Sequence, residues 1–322
     1  MAEPATPVAV VGGGIAGLCA ALSLHERGHR FQLFEASDRL GGVIRTERHG
    51  GFLIEGGPDS FLVQKPEALA LVRALGLADR LVHTNPRART VFVLRGGRLL
   101  PLPEGMTLTV PTRIAPVLTS PLFSWRGKLR MGLDLVRPAR RSEEDESIAS
   151  FVRRRFGTEV LERVAEPLLA GIHAGDAERL SLRATFPRLA ALEQSHGSVV
   201  RGLRAAAPPT ASGFPSAFAS LQGGLGELVE GLASRLPPES VRTGCAVGAL
   251  RRSDQGLTLQ LETGEARAFR AAILALPAPA SATLMAAVSP EACSLLSGLR
   301  FASTVVLVLG YRREDVAHGL EG

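Results

Sequence analysis

The chain begins with short apolar runs that are separated by glycine turns. Val8–Val11 form an apolar run that predicts a buried strand. Apolar positions then recur with helical spacing over residues 15–24, and Gly28 follows, so we expect a helix that ends at this glycine. Phe31–Phe34 predict a second strand. This order of strand, turn, helix and strand predicts the first part of a Rossmann-like α/β domain.

The apolar pattern of the later segments also predicts single helices and strands. Two strands flank the 49–51 turn, and a hairpin carries Gly96 and Gly97 at its tip. We expect helices over residues 66–81, 147–156 and 158–170, and an amphipathic helix after the Gly223-Gly224 turn. We also expect strands that return to the first sheet within 240–252 and 256–276, 271–276 as an inner strand, and an apolar strand over 303–314.

Composition limits the compartment and the kinds of partner. The net charge is +6, from 37 basic and 31 acidic residues, and Lys65 and Lys128 are the only lysines. Aromatic residues make up only 5%, so codon bias explains the arginines better than nucleic-acid binding does. The distant cysteines Cys19, Cys245 and Cys293 favour a reducing cytoplasm over a disulfide framework or a zinc site. We find no signal-peptide pattern and no apolar run long enough to cross a bilayer.

The first turn has the pattern G-x-G-x-x-G between a strand and a helix, which is typical of a dinucleotide site. Gly12 permits the tight turn, Gly14 lets the backbone approach a pyrophosphate, and Gly17 lets helix and strand pack closely. The helix N-terminus directs N–H groups at the phosphates. Glu35, after the second strand, suits a ribose diol and disfavours a 2′-phosphate, which argues against NADP.

The next glycines distinguish NAD from FAD. Gly41-Gly42 and Gly56-Gly57-Pro58 give two further places where backbone can approach a ligand, where an NAD-binding unit would usually continue with a crossover helix. Gly-Gly-Pro alone is more often just a turn. Directly after a nucleotide fold, it favours a flavin ring beside it.

Residues 107–141 combine apolar residues and prolines with the only tryptophan, Trp125. Basic residues surround this tryptophan: Arg126, Lys128, Arg130, Arg137, Arg140 and Arg141. Two interpretations fit equally well. One is an interfacial anchor with its apolar side chains among lipid headgroups, and the other is an ordinary amphipathic helix packed in the domain.

Two features have both an ordinary and a functional interpretation. The stretch 170–182, AGIHAGDAERLSL, is most simply a connector between helices, but Gly171 and Gly175 could also bring backbone close to a large flat ligand. Arg95 is most simply a surface arginine beside a turn, but a guanidinium can also bind a carboxylate bidentately. We expect no metal site and no catalytic acid–base pair.

The motif order GGGIAGL, E, DRLGG and EGGPDSF resembles the flavin amine oxidase superfamily. The resemblance implies FAD as the cofactor and assigns to it the three glycine turns, the acidic position and a later backbone contact with adenine. These residues are Gly12, Gly13, Gly14, Ile15, Ala16, Gly17, Glu35, Ala36, Arg39, Gly42, Val43, Gly57, Pro58, Asp59, Ser60 and Val247.

Residues 146–189 resemble oxygen-dependent protoporphyrinogen oxidases, in which helices precede a G-[VI]-x-A-G-D loop beside the tetrapyrrole. The resemblance implies that Arg95 binds a propionate and that Gly171 and Gly175 line the porphyrinogen pocket. It implies oxidation of protoporphyrinogen IX to protoporphyrin IX by FAD and molecular oxygen, with release of hydrogen peroxide. The alternatives are a coproporphyrinogen III oxidase, another flavin amine or polyene oxidase, and an inactive flavin-binding fragment.

The same resemblance implies an α/β fold with a Rossmann-like FAD-binding domain, an interleaved substrate-binding domain and a helical membrane-associating insertion. We expect the FAD-binding domain at 1–92 and 206–290, the helical membrane and substrate domain at 93–205, and the start of the substrate sheet at 291–322. Family members continue further, so we expect a fragment or a truncated product. A homodimer and a peripheral position on the cytoplasmic face of the cell membrane are also expected.

Overall fold

The computed structural model describes residues 6–63, 65–85, 90–107, 109–142, 144–173, 175–206, 217–254 and 256–316. Its contacts divide the chain into two units. The sheet unit contains the described residues of 1–86, 214–301 and 305–320, and the helical unit contains those of 87–213 and 302–304. The domain boundaries expected from the sequence stay a prediction.

The secondary-structure elements are numbered in chain order. The strands are β1 (Val8–Val11), β2 (Phe31–Phe34), β3 (Thr46–His49), β4 (Phe52–Glu55), β5 (Phe61–Leu62), β6 (Leu81–His83), β7 (Phe92–Arg95), β8 (Arg98–Pro101), β9 (Met106–Thr107), β10 (Val110–Pro111), β11 (Phe218–Leu221), β12 (Val241–Arg242), β13 (Val247–Ser253), β14 (Gly256–Leu261), β15 (Ala266–Phe269) and β16 (Ala271–Leu274). The α-helices are α1 (Ile15–Glu26), α2 (Pro66–Ala74), α3 (Ile114–Thr119), α4 (Trp125–Gly132), α5 (Ile148–Arg155), α6 (Thr158–Val160), α7 (Glu166–His173), α8 (Leu182–Thr185), α9 (Pro187–His196), α10 (Val199–Ala205), α11 (Gly226–Ala233), α12 (Ala278–Met285) and α13 (Pro290–Ser297).

A parallel sheet with the strand order β12-β2-β1-β16 forms the centre of the sheet unit. Strand β1 is buried along its whole length. Strands β2 and β16 pair with its two edges, and its alternate side chains pack into separate apolar cores on the two faces of the sheet. Helix α1 packs Leu18 and Ala21 into one core with Leu232 from α11. The predicted strand–helix–strand order is confirmed, since β1, α1 and β2 occur where the apolar pattern places them.

The expected return of residues 240–276 to this sheet is wrong in two respects. Only β12 and β16 join the parallel sheet, whereas β13, β14 and β15 form a separate antiparallel sheet. Their connections are short, and short turns join antiparallel neighbours, whereas parallel strands need a crossover of a dozen or more residues. Strand β16 is an end strand of the parallel sheet among the described residues, not an inner one.

Two further predictions for the sheet unit need correction. Helix α2 ends at Ala74, well before residue 81, because Gly76 takes a left-handed conformation (φ 76°) and a 3-10 turn and β6 follow. Residues 303–314 do not form the expected strand, and the Val305 side chain is 93% exposed. A strand needs a neighbour that accepts and donates its backbone hydrogen bonds, and the part of the chain that the structure describes places none beside this run.

The helical unit has its own apolar core around α5, α6 and α9. The expected helix at 147–156 is confirmed: Ser147 caps α5 by accepting from the Ser150 amide at 3.1 Å, and Gly157 (φ 96°) follows its end. The next helix includes a π-helical turn over Leu161–Ala165 and then continues as α7. Pro167 has no N–H to donate, and such a wider turn accommodates a proline inside a helix.

A buried ion network holds α5 to the rest of the helical unit. The Arg155 side chain is fully buried; it donates to Asp134 Oδ1 at 3.3 Å and to Glu193 Oε1. Asp134 also accepts from the Ser198 hydroxyl at 2.6 Å. Burial alone raises the pKa of Glu193, but hydrogen bonds from Arg154 and Arg155 outweigh burial and lower the pKa to about 2. Both carboxylates therefore lie in low-dielectric surroundings and share the Arg155 cation, and Glu193 has Arg154 as a second cation.

Candidate functional site

The glycine loop of the sheet unit lies at the carboxyl end of β1. Gly12 takes a positive φ of 106°, and a Cβ atom there would lie inside contact distance of the Ala275 carbonyl oxygen. A Cβ on Gly17 would overlap the Gly12 carbonyl oxygen, so helix α1 can approach β1 only with glycine at this position. A Cβ on Gly14 would have only the Gly42 Cα, 3.9 Å away, within 4 Å. Gly14 therefore has open space for a ligand.

The second glycine turn lies directly against this loop. The Gly41 amide donates to the Gly13 carbonyl at 2.8 Å, and Gly14 and Gly41 form an isolated parallel bridge. Arg39 stabilises the turn, since its guanidinium donates to the Gly42 carbonyl at 2.7 Å and to the Ile44 carbonyl at 3.1 Å. Arg39 thus braces the turn, and its contact with a diphosphate stays a prediction.

Glu35 lies at the end of β2 beside the same loop. Its Oε2 accepts from the Gly13 amide at 2.6 Å, and its Oε1 accepts from the Ser37 amide at 2.9 Å and the Ser37 hydroxyl at 2.8 Å. Partial burial alone raises the pKa of Glu35, but the hydrogen bonds from Ser37 and Gly13 outweigh it and hold the pKa below its ordinary value. An ionised carboxylate with an acceptor site left on Oε2 remains available for a hydroxyl donor.

The third glycine turn, at Gly56-Gly57, packs against the chain that follows the second turn, at Gly41-Gly42. A Cβ on Gly57 would overlap the Val43 carbonyl oxygen, so this close approach of two backbones requires glycine. The Val43 side chain is 76% exposed. Asp59 and Ser60 line a groove of about 710 Å³ in the sheet unit together with Ser220, whose hydroxyl donates to the Asp59 carbonyl at 2.7 Å.

The remaining cofactor residues lie near these turns. Ile15 and Ala16 form the first turn of α1, and Ala36 is exposed next to Glu35. Val247 begins β13, close to Glu35 in space, because the Cys245 amide donates to the Glu35 carbonyl at 2.8 Å. The fold thus collects segments near residues 12–17, 35–43, 57–60 and 247 in the sheet unit. The roles of these individual residues stay predictions.

The residues present fit the diphosphate and ribose of FAD. The first helical hydrogen bond of α1 runs from the Leu18 amide to the Gly14 carbonyl, and none of the side chains that the structure describes caps this end of α1. The amides of residues 15–17 have no acceptor within the helix and point out of its N-terminus, which favours an anion there. Gly14 leaves space for that anion, and ionised Glu35 provides the acceptor that a ribose hydroxyl requires.

The expected substrate residues all lie in the helical unit. Arg95 ends β7, is exposed, and donates to the Leu122 carbonyl at 3.3 Å. Gly175 is half-buried, and a Cβ there would contact the Leu180 side chain at 3.0 Å. Gly171 is exposed within α7, where a Cβ would meet nothing within 4 Å. The expectation that the connecting loop begins before Gly171 is therefore wrong, because α7 continues to His173.

Sequence reasoning missed several residues that shape these sites. Ser37 gives Glu35 two hydrogen bonds, and the letters S-D after E-A were a signal for such a local turn. Gly41, which the sequence identifies as part of a glycine turn, has a φ of 107°, and its bridge to Gly14 is the feature that the sequence does not reveal. Arg163 and Glu159 form an ion pair at 2.7 Å beside Leu122. Their spacing of four residues on one helix was readable, but its proximity to Arg95 was not.

Comparison with known proteins identifies a family for this chain. The family model "Flavin containing amine oxidoreductase" matches residues 15–320. The chain is 36% identical over 333 residues to coproporphyrinogen III oxidase from Bacillus subtilis (strain 168), covering 100% of this chain and 70% of that protein. It is 32% identical over 332 residues to chloroplastic protoporphyrinogen oxidase 1 from Arabidopsis thaliana, covering 97% of this chain and 60% of that protein.

A solved structure gives a similar result for the fold. The crystal structure of a protein from Exiguobacterium sp. 255-15, described as a candidate protoporphyrinogen oxidase, matches with a TM-score of 0.77 and 33% identity. The match covers 88% of this chain and 62% of that chain. The mixed α/β class predicted from the sequence is confirmed by this similarity. The chain spans between three fifths and seven tenths of these three proteins.

Proposed function

The chain belongs to the flavin-containing amine oxidoreductase family, and from this premise we propose that it oxidises a porphyrinogen to the corresponding porphyrin in haem biosynthesis. FAD is its cofactor. The observation that carries the proposal is the match with the Bacillus subtilis enzyme, because it extends over the entire chain. A match confined to the glycine loop would support a flavin site and no particular substrate.

We favour coproporphyrinogen III as the substrate. The relative named for this substrate is 36% identical to the chain, and the plant relative named for protoporphyrinogen is 32% identical. The resemblance found in the sequence implies protoporphyrinogen IX, which is the second candidate. The two substrates differ in carboxylates, since coproporphyrinogen has four propionates and protoporphyrinogen has two. Recognition of carboxylates by this chain is therefore the property that separates them.

The reaction removes six electrons and six protons from the porphyrinogen. When bound, FAD accepts two electrons at a time and passes them to molecular oxygen, so each porphyrin formed consumes three oxygen molecules and releases three molecules of hydrogen peroxide. In the sheet unit, the amides of residues 15–17 would hold the pyrophosphate of this cofactor, Glu35 would hold its ribose, and the backbone of Gly57 to Ser60 would contact its flavin ring. In the helical unit, Arg95 binds a propionate, and the backbone at Gly171 and Gly175 lines the tetrapyrrole site.

The proposal predicts porphyrin formation that depends on FAD and oxygen. Purified protein with FAD, detergent and air is given coproporphyrinogen III or protoporphyrinogen IX, and porphyrin fluorescence and hydrogen peroxide are followed against an autoxidation blank. We expect a faster rate with coproporphyrinogen III and about three peroxides per porphyrin. Peroxide formation from amines with no porphyrin formed would instead identify an amine oxidase. A colourless protein whose rate equals the blank would identify an inactive fragment. A yellow protein that retains FAD and whose rate still equals the blank would reject the proposal.

We also propose that the helical unit binds the membrane surface peripherally. Among the described residues, the structure has no helix with the length and apolarity that crossing a bilayer requires. Helices α3 and α4 expose Trp125 (70%), Leu129 (72%) and Ile114 (51%) around a groove of about 310 Å³. The Lys128 ammonium lies 5.0 Å from the centre of the Trp125 ring. Exposed apolar side chains beside cations are typical of binding to anionic lipid.

Substitution of both Trp125 and Leu129 by serine should release the protein from anionic vesicles. Each large apolar side chain contributes about 1.5 to 3 kcal/mol when buried, so the double variant should lose at least about a hundredfold in partition coefficient. Vesicles that contain phosphatidylglycerol are floated with the protein, and the bound fraction is measured. The matched control is Leu295→Ser on α13, because Leu295 is equally exposed at 70% and lies in the sheet unit. Equal binding of both variants would reject the proposal.

The proposed location is the cytoplasmic face of the cell membrane. Cys19, Cys245 and Cys293 are free thiols, which suits a reducing compartment. A homodimer is part of the same proposal, and sedimentation of the detergent-free protein tests it directly.

A further inference from the structure

Arg95 has a second guanidinium beside it in the helical unit. Arg163 Nη1 donates to the Leu122 carbonyl oxygen at 2.7 Å, and Arg95 Nη1 donates to the same oxygen at 3.3 Å. Arg95 comes from the end of strand β7, and Arg163 comes from the π-helical turn before α7. One carbonyl oxygen therefore holds two positive charges side by side, although they are distant in the sequence.

Glu159 is the carboxylate of this cluster. Its Oε2 accepts from Arg163 Nη1 at 2.7 Å and from the Ser124 amide at 2.9 Å, and its Oε1 accepts from the Ser124 hydroxyl. Burial alone raises the pKa of Glu159, but the Ser124 hydrogen bonds and the charges of Arg163 and Arg95 outweigh burial and lower it. Glu159 is ionised at neutral pH, and most of its acceptor sites are occupied by Ser124 and Arg163.

The cluster has two positive charges and one negative charge. The side chains of Arg163 and Glu159 are mostly buried, at 19% and 25% exposure. Arg95, in contrast, is exposed to solvent. Within the described residues, the guanidinium of Arg95 has one hydrogen bond, the long one to Leu122. A guanidinium has five N–H donors, so Arg95 keeps enough of them for a bidentate carboxylate. The surplus positive charge thus lies on the side chain that solvent and ligands reach.

We propose that Arg95 and Arg163 form one carboxylate-recognition site, in which Arg95 contacts the ligand and Arg163 is a positioning residue. Arg163 fixes the Leu122 carbonyl and Glu159 beside Arg95 and adds a second positive charge to the field that the ligand meets. Glu159 cancels one of the two charges, so the site suits a single carboxylate. The inference deepens the proposed function and rests on it, since the ligand carboxylate is then a porphyrin propionate.

The test compares a porphyrin that has carboxylates with the same porphyrin without them. Coproporphyrin III and its tetramethyl ester are titrated with the wild-type protein and the variants, and binding is followed by porphyrin fluorescence. We expect Arg163→Gln to weaken binding of the acid about tenfold and to leave binding of the ester unchanged. Arg163→Lys keeps the charge with fewer and less fixed N–H donors, so its affinity for the acid should lie between those of wild type and Arg163→Gln, within about threefold of wild type. The matched control is Arg153→Gln, because Arg153 forms an exposed ion pair with Glu178 outside this cluster.

Each outcome decides for or against the inference. If Arg163→Gln binds the acid as wild type does, or weakens acid and ester equally, the inference is wrong and the proposed function is unaffected. If Arg163→Lys loses as much affinity for the acid as Arg163→Gln, charge is not what Arg163 contributes, and the inference is again wrong. If the wild-type protein binds neither porphyrin, the proposed function fails, and the inference fails with it.

Discussion

Substitution of Gly17 by alanine is expected to abolish FAD binding by disrupting the fold of the sheet unit. The added Cβ would overlap the Gly12 carbonyl oxygen, and neither group can move without shifting α1 or β1. Overpacking of this kind costs up to about 3 kcal/mol, which lowers the folding equilibrium constant about a hundredfold and removes a large part of the stability of a domain. The measurements are the melting temperature without FAD and the amount of flavin that copurifies, and we expect both to fall.

Substitution of Gly14 by alanine provides the informative contrast. A Cβ there has only the Gly42 Cα, at 3.9 Å, within 4 Å, so the protein should fold and melt as wild type does without FAD. The same methyl group would lie where the pyrophosphate is expected, and we predict a loss of FAD affinity of at least about tenfold. Gly132→Ala is the control, because a Cβ on this helical glycine meets nothing within 4 Å. If Gly14→Ala retains FAD with wild-type affinity, the pyrophosphate does not lie against Gly14.

Local patterns in the sequence were enough to predict the first strand, the glycine loop and the first helix of the expected cofactor site. The buried run at β1 and the helical spacing of α1 lie on either side of G-x-G-x-x-G, so strand, turn and helix follow from neighbouring residues. The close approach of Gly57 to the Val43 carbonyl could not be predicted in this way. It depends on how two turns that are distant in the sequence meet, and single-sequence periodicity contains no information on such pairing.

The predictions that were wrong also depend on tertiary structure that a single sequence does not contain. The residues of β13, β14 and β15 have the composition of strands, but the choice between a parallel and an antiparallel partner is a tertiary property. The run at 303–314 has strand propensity without a neighbouring strand among the described residues, so propensity alone misled the prediction. Gly171 was predicted to lie in a loop. A glycine inside a helix lowers the stability of that helix by only about 1 kcal/mol relative to alanine, so α7 can continue through it.

The burial of Arg155 could be predicted in part from the helical periodicity of α5. Residues 153–155 are three consecutive arginines at the end of α5, which suggests a solvated helix terminus. Arg155 nevertheless lies three residues after Val152 and seven after Ile148, on the buried stripe of that helix. The helical period thus indicated that one of the three arginines is buried. Its partners Asp134 and Glu193, which are 21 and 38 residues away, could not be found without the structure.

Substitution of Arg155 by methionine should destabilise the helical unit strongly. Methionine fills much of the volume, but Asp134 and Glu193 then stay buried without the cation that they share. Removal of one partner from a buried ion network costs about 3 to 5 kcal/mol of the free energy of unfolding. Chemical denaturation followed by circular dichroism measures this loss. Arg153→Met is the control on the same helix, because the Arg153 side chain is 46% exposed, and we expect its effect to stay below about 1 kcal/mol.

Two further measurements separate charge from packing in this network. Adding Glu193→Met to Arg155→Met should recover only part of the lost stability. It removes a buried carboxylate that has lost Arg155, but it also takes from Arg154 the carboxylate to which it donates two hydrogen bonds. The pKa of Glu193 is lowered from 4.5 to about 2, so its ionised form stabilises the wild-type protein fully above pH 4.5, and this contribution is lost as the pH falls towards 2. Glu193→Gln should therefore be less stable than wild type at pH 6, and the difference should shrink between pH 4.5 and 2. A constant difference over that range would mean that packing, and not charge, explains the role of Glu193.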